Sequence, residues 1–168
     1  MILYPKIYLK SVDKIEIELL KKNNIKGLIL DVDNTLIDFN KKMPDKIKQW
    51  AQIMKNENIK MCILSNSNKQ EKVKDVANIL NIPYIHFAKK PFKTGFLKAK
   101  KILNLESANI GVVGDQIFTD VIGANRCKMF SILVQPIEKK DYLLTKIKRP
   151  FEEFVINRYL KRKERTEN

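Results

Sequence analysis

Short apolar segments that end in polar residues recur along the first 135 residues of the chain. Four of these segments are continuously hydrophobic, which is typical of strands buried on both faces of a parallel sheet. They predict strands at residues 25–30, 59–64, 110–113 and 130–134. A shorter segment at 84–87 predicts a further strand.

Between these segments, apolar residues recur every three or four positions, as they do along one side of an amphipathic helix. The spacing predicts helices at 11–22, 45–58, 69–80 and 94–103. Ser11 or Asp13 is expected to cap the first of them. The last is expected to turn four side chains inward: Phe96, Leu97, Ala99 and Ile102.

The alternation of strands and helices predicts an α/β fold, a Rossmann-like parallel sheet with helices on both faces. A chain of 168 residues is long enough for one such domain. We therefore expect a single domain over residues 1–168, with an N-terminal extension at 1–24 and a basic helical tail at 137–168. In such a sheet, ligands bind beyond the carboxyl ends of the strands.

The chain is strongly basic, with 33 lysines and arginines against 19 acidic residues and a net charge of +14. Such an excess attracts polyanions, among them nucleic acids and anionic membrane surfaces. Most of the basic residues are lysines, and isoleucine and asparagine are also abundant. The excess of positive charge is therefore explained equally well by a biased amino-acid composition and by a polyanionic partner.

Targeting and redox signals are few. No apolar run approaches the roughly 18 residues that a membrane span requires, and the N-terminus lacks the features of a secretory signal. Cys62 and Cys127 lie in apolar surroundings, so we expect reduced core residues and a cytoplasmic protein. The single histidine, His86, argues against histidine-rich metal sites and Ser-His-Asp hydrolases.

Polar clusters follow four of the predicted strands. They are Asp31-Val-Asp-Asn-Thr35, Ser65-Asn-Ser-Asn68, Lys89-Lys-Pro91 and Gly114-Asp-Gln-Ile-Phe-Thr-Asp120. Because parallel strands bring their carboxyl ends to one edge of the sheet, we expect these acids, hydroxyls and lysines to converge there. Such a set suits a divalent metal with oxygen ligands together with a phosphate group.

The order of these clusters resembles the haloacid-dehalogenase-like (HAD) phosphatases. The resemblance extends to the capless subfamily IIIA and, within it, to the YqeG-like family, which includes phosphatases that convert phosphatidylglycerophosphate to phosphatidylglycerol. It covers residues 3–135 and is most specific at residues 114–126, with Gln116, Asn125 and Arg126. The resemblance implies a Mg²⁺-dependent phosphatase with the HAD fold.

The resemblance also implies roles for the acidic residues. Asp31 is expected to be the nucleophile that forms an aspartyl phosphate. Asp33 is expected to protonate the leaving alcohol and then to activate water. Mg²⁺ is expected to bind Asp31, Asp115 and the backbone carbonyl of Asp33. Thr35 is expected to stabilise the loop rather than to contact substrate.

Four further positions complete the expected site. The resemblance implies that Ser65 and Lys90 hold the phosphoryl oxygens, with help from Asn66. Lys90 is preferred because the family pattern is Lys-Pro, and Lys89 is the alternative if the turn is shifted. Asp120 is expected to orient Lys90 or a metal-bound water without binding the metal itself.

The spacing of the clusters leaves no room for a cap domain, because the intervals 35–65 and 65–90 hold only one helix and one strand each. We therefore expect an open site and a large phosphorylated substrate. Among such substrates, the resemblance and the basic charge favour a lipid head group, phosphatidylglycerophosphate, with the protein peripheral at an anionic membrane surface. The alternatives are a capless phosphatase acting on a nucleic-acid 3′-phosphate or another phosphorylated macromolecule, and a basic nucleic-acid-binding module without catalysis.

The segment beyond residue 149 predicts a helix that begins at Pro150. Phe151, Phe154, Val155 and Tyr159 are expected to share one side of it. A membrane-surface helix has this pattern, and so does a helix packed on its own sheet. We favour the second interpretation.

Overall fold

The computed structural model describes residues 2–138 and 143–167, with only the backbone described at 143–149 and 164–167. Its centre is a six-stranded sheet in which every neighbouring pair of strands is parallel. The strands are β1 (Ile7–Leu9), β2 (Gly27–Leu30), β3 (Lys60–Leu64), β4 (Tyr84–Ile85), β5 (Ile110–Gly114) and β6 (Phe130–Val134). Their spatial order is β1-β6-β5-β2-β3-β4, so β2 lies between β5 and β3 and the first polar cluster emerges near the middle of the sheet.

Six α-helices accompany the strands in the described part of the chain. They are α1 (Ile17–Lys22), α2 (Asp45–Asn56), α3 (Gln70–Leu80), α4 (Lys93–Leu103), α5 (Ile122–Arg126) and α6 (Leu143–Glu167). Short 3-10 helices occur at Val12–Lys14 and Ser107–Asn109. A π-helical turn, Ile117–Val121, leads directly into α5.

The helices cover both faces of the sheet. Alternate strand residues, such as Leu28 and Leu30, join α1, α2 and α3 in one core cluster, whereas Ile29 joins α4 and α5 in another. In the first cluster the indole N–H of Trp50 donates to the carbonyl oxygen of Ile15 at 2.9 Å. This bond fastens the N-terminal segment to α2.

The structure confirms the predicted α/β class, with its parallel sheet and helices on both faces. The predicted strands and the helices at 45–58, 69–80 and 94–103 are present, with bounds shifted by up to two residues. Cys62 and Cys127 are buried and unpaired, as predicted. The intervals 35–65 and 65–90 contain no inserted domain.

Two local predictions are wrong. The segment 11–22 forms two short helices rather than one, because the chain is extended between them at Ile15, and no side chain caps either helix. In α4, Leu97 and Ile102 are exposed, and the inward residues are Phe96, Ala99 and Leu103. The helix has apolar residues around most of its circumference, so spacing alone did not identify its buried side.

Helix α6 packs on the domain, as favoured above. Val155 and Ile156 lie against a small core cluster formed by the π-helical turn and β6. The helix begins at Leu143, so Pro150 lies inside it and the prediction of a start at Pro150 is wrong. Phe151 and Phe154 are exposed rather than docked. Residues 139–142 and 168 of the predicted tail lie outside the described residues.

Candidate active site

The loop after β2 sets the position of Asp31. Its backbone N–H donates to Val113 on the neighbouring strand β5, which extends the sheet by one residue. The chain then turns sharply, because the carbonyl oxygen of Val32 accepts three consecutive N–H groups, those of residues 35–37. The turn brings the hydroxyl of Thr35 to 3.4 Å from a carboxylate oxygen of Asp31 and the same distance from Asp115.

Lys90 is the buried cation of the site. Its ammonium group donates to Asp31 and to Asp120 at 2.6 Å each. The side chain of Asn66 fixes the backbone of Lys90 from both sides, accepting from its N–H and donating to its carbonyl oxygen. Lys89, the alternative, is exposed and lies over the ring of Phe87. The geometry therefore brings Lys90 into the cluster.

Asp120 reaches the cluster because the π-helical turn after β5 folds its side chain back over the strand end. Its second carboxylate oxygen accepts the N–H of Gln116 at 3.2 Å. Gly114 makes room for it, since a Cβ at that position would lie 2.3 Å from the carboxyl carbon of Asp120. The glycine is thus explained by a side-chain approach rather than by a phosphate cradle.

Asp31, Asp115 and Asp120 are all buried, and ligand oxygens from the three lie within 4.8 Å of one another. Three carboxylates and the single ammonium of Lys90 give this buried group a formal charge of −2. Uncompensated buried charge is costly, and a divalent cation would bring the sum to zero. The residues present therefore fit a divalent metal with oxygen ligands.

The pKa values of Asp31 and Lys90 reflect their burial and their charged neighbours. Burial raises the pKa of the Asp31 carboxyl to about 6, against the opposing attraction of Lys90 and with a further rise from Asp120. Burial alone would lower the pKa of Lys90, but the carboxylates of Asp120 and Asp31 outweigh it and raise that pKa above its usual value. Lys90 is therefore a fixed positive charge, and Asp31 is a carboxylate that lacks full compensation.

Ser65 is fully buried at the end of β3. Its hydroxyl oxygen accepts the N–H of Ser67 at 3.1 Å, and its backbone carbonyl accepts the N–H of Ala88. The hydroxyl proton is still available for a donor bond to a phosphoryl oxygen. Asn66, predicted to bind substrate, has both amide atoms engaged by Lys90, so the structure shows it fixing the lysine turn.

The sequence reasoning missed Lys72. This residue lies in the first turn of α3, and its ammonium group is 2.5 Å from a carboxylate oxygen of Asp33. The lysine side chain is mostly buried, whereas that of Asp33 is about one-third exposed. The available signal was topological, because the amino end of a helix that follows a strand lies at the carboxyl edge of the sheet.

Two contacts join the segments after β6 to the site loops and were also missed. The side chain of Asn34 bonds both the N–H and the carbonyl of Glu138 at 2.9 Å, and its backbone carbonyl accepts the N–H of Ile137. On α6, the buried Glu152 accepts the N–H of Phe118 at 3.2 Å. Because these hydrogen bonds join residues more than thirty positions apart in the chain, no periodic pattern in the sequence indicates them.

The comparisons with known proteins agree with this architecture. Residues 1–138 match the model of a family described as mitochondrial PGP phosphatase. The chain belongs to this family. One relative is "Phosphatidylglycerophosphate phosphatase 1, chloroplastic/mitochondrial" of Arabidopsis thaliana, which is 25% identical over 177 residues. That match covers 94% of this chain and 48% of the plant protein, so the chain spans about half the length of that relative.

A bacterial member is similar along nearly its whole length. "Probable phosphatase YqeG" of Bacillus subtilis is 36% identical over 160 residues, which cover 95% of this chain and 92% of that protein. The resemblance to the YqeG-like family is thereby confirmed. The chain is a phosphatase of this family.

Solved structures share the fold at low sequence identity. An uncharacterized Listeria monocytogenes protein has a TM-score of 0.56 and 20% identity, over 71% of this chain and 86% of that one. The cobalt-bound deoxy-D-mannose-octulosonate 8-phosphate phosphatase of Haemophilus influenzae has a TM-score of 0.56 and 15% identity, over 83% of this chain and 91% of that one. These likenesses show a shared fold, and the roles of individual residues stay predictions.

Proposed function

We propose that the protein hydrolyses the phosphomonoester of phosphatidylglycerophosphate with Mg²⁺, through an aspartyl-phosphate intermediate. The observation that carries the proposal is the buried network of Asp31, Lys90, Asp115 and Asp120 at the carboxyl edge, in a chain whose first 138 residues match the PGP phosphatase family. The family supplies the substrate class, and the network supplies a nucleophile, a fixed cation and a metal site.

In the proposed reaction, a carboxylate oxygen of Asp31 attacks phosphorus, and the bond from phosphorus to the glycerol oxygen breaks. Lys90 and Ser65 hold the non-bridging oxygens of the transferred group. Asp33 gives its proton to the leaving alkoxide and then takes a proton from the water that attacks the aspartyl phosphate. Inorganic phosphate leaves, and Asp31 is regenerated.

The acidic cluster would hold the cation through Asp31, Asp115 and the carbonyl of Asp33. When bound, the metal would supply the charge neutralisation that lets a carboxylate approach a phosphate dianion. Lys90 contributes part of the same neutralisation permanently, because two carboxylates hold its ammonium group in place. Asp33 is more exposed than Asp31, which suits a group that exchanges protons with a leaving alcohol and with water.

The size of the proposed substrate follows from the absence of an inserted domain over the site. The loops after β2 and β3 lead directly into α2 and α3, and neither carries an inserted domain. An open site accepts a phosphate carried on a large molecule, whereas small phosphorylated metabolites are better held by enclosed pockets. A lipid head group presented by a membrane satisfies this requirement.

The decisive assay is phosphate release from phosphatidylglycerophosphate in detergent micelles with Mg²⁺. We expect turnover by the wild-type chain, and none by Asp31→Asn or after chelation of the metal. Asp45→Asn is a matched control, because Asp45 is an exposed carboxylate on α2 that pairs only with Lys48 among the described contacts. Release from a 3′-phosphorylated oligonucleotide but not from the lipid would replace the proposed substrate, and equal release by Asp31→Asn would refute the mechanism.

A further inference from the structure

The carboxyl edge of the sheet carries exposed aromatic side chains beside the site. Phe87 follows β4 and is 55% exposed, and Phe92 precedes α4 and is 62% exposed. Both are tied to the site loops: the N–H of Phe87 donates to Ser67, and Phe92 stands two residues after Lys90. Two exposed aromatic residues of this size on one short connection indicate an interaction surface rather than a solvated loop.

Helix α6 adds two more aromatic residues at the same edge. Phe151 is 67% exposed and Phe154 is 64% exposed. They flank Glu152, which accepts the N–H of Phe118 just beyond the end of β5. The helix packs on the domain through Val155 and Ile156. Its two phenylalanines are therefore left exposed on a helix that is anchored just beyond the end of β5.

Lysines dominate the exposed charge of the loops at this edge. Five of the six strands lead into the connections at residues 31–44, 65–69, 86–92, 115–116 and 135–138. The exposed charged residues of these connections are lysines, namely Lys41, Lys42, Lys69 and Lys89, and Lys93 is exposed at the start of α4. The acids of the same connections are buried or half-buried, and exposed acids appear only further on, at Asp45 and Glu71 in the first turns of α2 and α3. The net charge of +14 thus has a local counterpart, an exposed basic rim around a buried acidic cluster.

We propose that the surface formed by Phe87 and Phe92, with Lys89 and Lys93, docks the active site onto an anionic lipid bilayer. The phenylalanine rings enter the interface between head groups and acyl chains, and the lysines contact the lipid phosphates. The proposal rests on the lipid substrate proposed above and names the part of the molecule that meets the membrane. Docking at this edge presents the acidic cluster to the head groups directly.

The test measures binding to vesicles of phosphatidylcholine with and without 30 mol% phosphatidylglycerol, in the absence of substrate. The variant is Phe87→Asn with Phe92→Ser. Asparagine tolerates the left-handed backbone of position 87, and serine is favoured at the helix N-cap of position 92. The matched control replaces two equally exposed apolar residues away from this edge, Ile53→Ser with Ile79→Ser.

We expect the wild-type chain to bind the anionic vesicles, with an affinity that falls as salt screens the lysines. The phenylalanine variant should bind at least tenfold more weakly, and the isoleucine control should bind like the wild type. Hydrolysis of a soluble aryl phosphate should be unchanged in both. Equal binding by the phenylalanine variant, or an equal loss in the control, would overturn the docking surface.

Failure of the proposed function gives results that differ from failure of the docking surface. If no phosphate is released from phosphatidylglycerophosphate while vesicle binding still depends on Phe87 and Phe92, the substrate is wrong and the docking surface stands. If the lipid is hydrolysed in micelles and in vesicles equally well by the phenylalanine variant, the substrate stands and the docking surface is wrong. Binding to a single-stranded oligonucleotide but not to anionic vesicles would replace the membrane with a nucleic acid and overturn the proposal.

Discussion

Replacement of Asp31 by asparagine should stabilise the metal-free protein at neutral pH. Burial raises the pKa of Asp31 from 3.8 to about 6, so the folded state favours the neutral acid. Between pH 4 and 6 the unfolded chain loses this proton first, and the free energy of unfolding falls as the pH rises. This decrease in the free energy of unfolding is complete above about pH 6, where Asp31 is ionised in both states. One pKa unit corresponds to about 1.4 kcal/mol, so the rise corresponds to about 3 kcal/mol.

The assay is urea unfolding of the wild-type and Asp31→Asn chains from pH 4 to pH 8 with a chelator present. The difference between the two unfolding free energies should grow by up to about 3 kcal/mol in favour of the variant as the pH rises through 4 to 6. Other titrating groups contribute to both chains and largely cancel. A flat difference, or a variant less stable at pH 7, would show that the attraction of Lys90 outweighs burial.

Mg²⁺ provides a second arm of the same experiment. A ligand that binds only the folded state at 100 times its Kd adds about 2.7 kcal/mol of stability. Because the proposed metal set includes Asp31, the wild-type chain should gain more stability from Mg²⁺ than Asp31→Asn does. An equal gain in both chains would remove Asp31 from the metal ligands.

Three further substitutions test individual contacts. Gly114→Ala should displace Asp120 and lower kcat by about 10- to 100-fold, the usual cost of losing a group that orients an active-site residue. Lys72→Met should lower kcat/KM for a dianionic aryl phosphate about tenfold, which is about 1.4 kcal/mol, because a cation is lost beside Asp33. Glu152→Ala should lower the free energy of unfolding by about 1–3 kcal/mol, because the N–H of Phe118 loses its acceptor.

Each substitution has its own control. Gly114→Ala combined with Asp120→Ala should lose no more activity than either single variant, and additive losses would contradict the shared cause. Lys74→Met, on the exposed side of α3, should leave kcat/KM unchanged, and an equal loss would indicate general electrostatic steering. Glu153→Ala, at an exposed neighbouring position, should change stability by less than about 0.5 kcal/mol.

The central strands could be predicted because strands inside a parallel sheet are buried on both faces and have continuous apolar sequences. The four polar clusters then follow from topology, since parallel strands expose their carboxyl ends at one edge. Edge strand β1 was not predicted, because it has only three half-buried residues. The π-helical turn was not predicted either, because its geometry depends on the fit of Asp120 over Gly114 rather than on a repeating pattern.

The orientation of surface helices was harder to predict than their existence. In α4 and α6, apolar residues occupy both the docked and the exposed sides, so spacing indicates a helix without selecting its buried side. Phe151 and Phe154 are exposed for this reason. Lys72 was missed because lysine on a helix usually remains in solvent, and only the neighbouring Asp33 distinguishes this one.

Trp50 gives the protein a built-in fluorescent reporter. It is the only tryptophan in the chain, it is buried in the first core cluster, and its indole N–H is held by Ile15. Its emission therefore reports whether the N-terminal segment, α2 and that face of the sheet are assembled. Because the acidic cluster contains no tryptophan, titration of Asp31 in the folded protein should leave the Trp50 emission unchanged, whereas loss of the fold should change it.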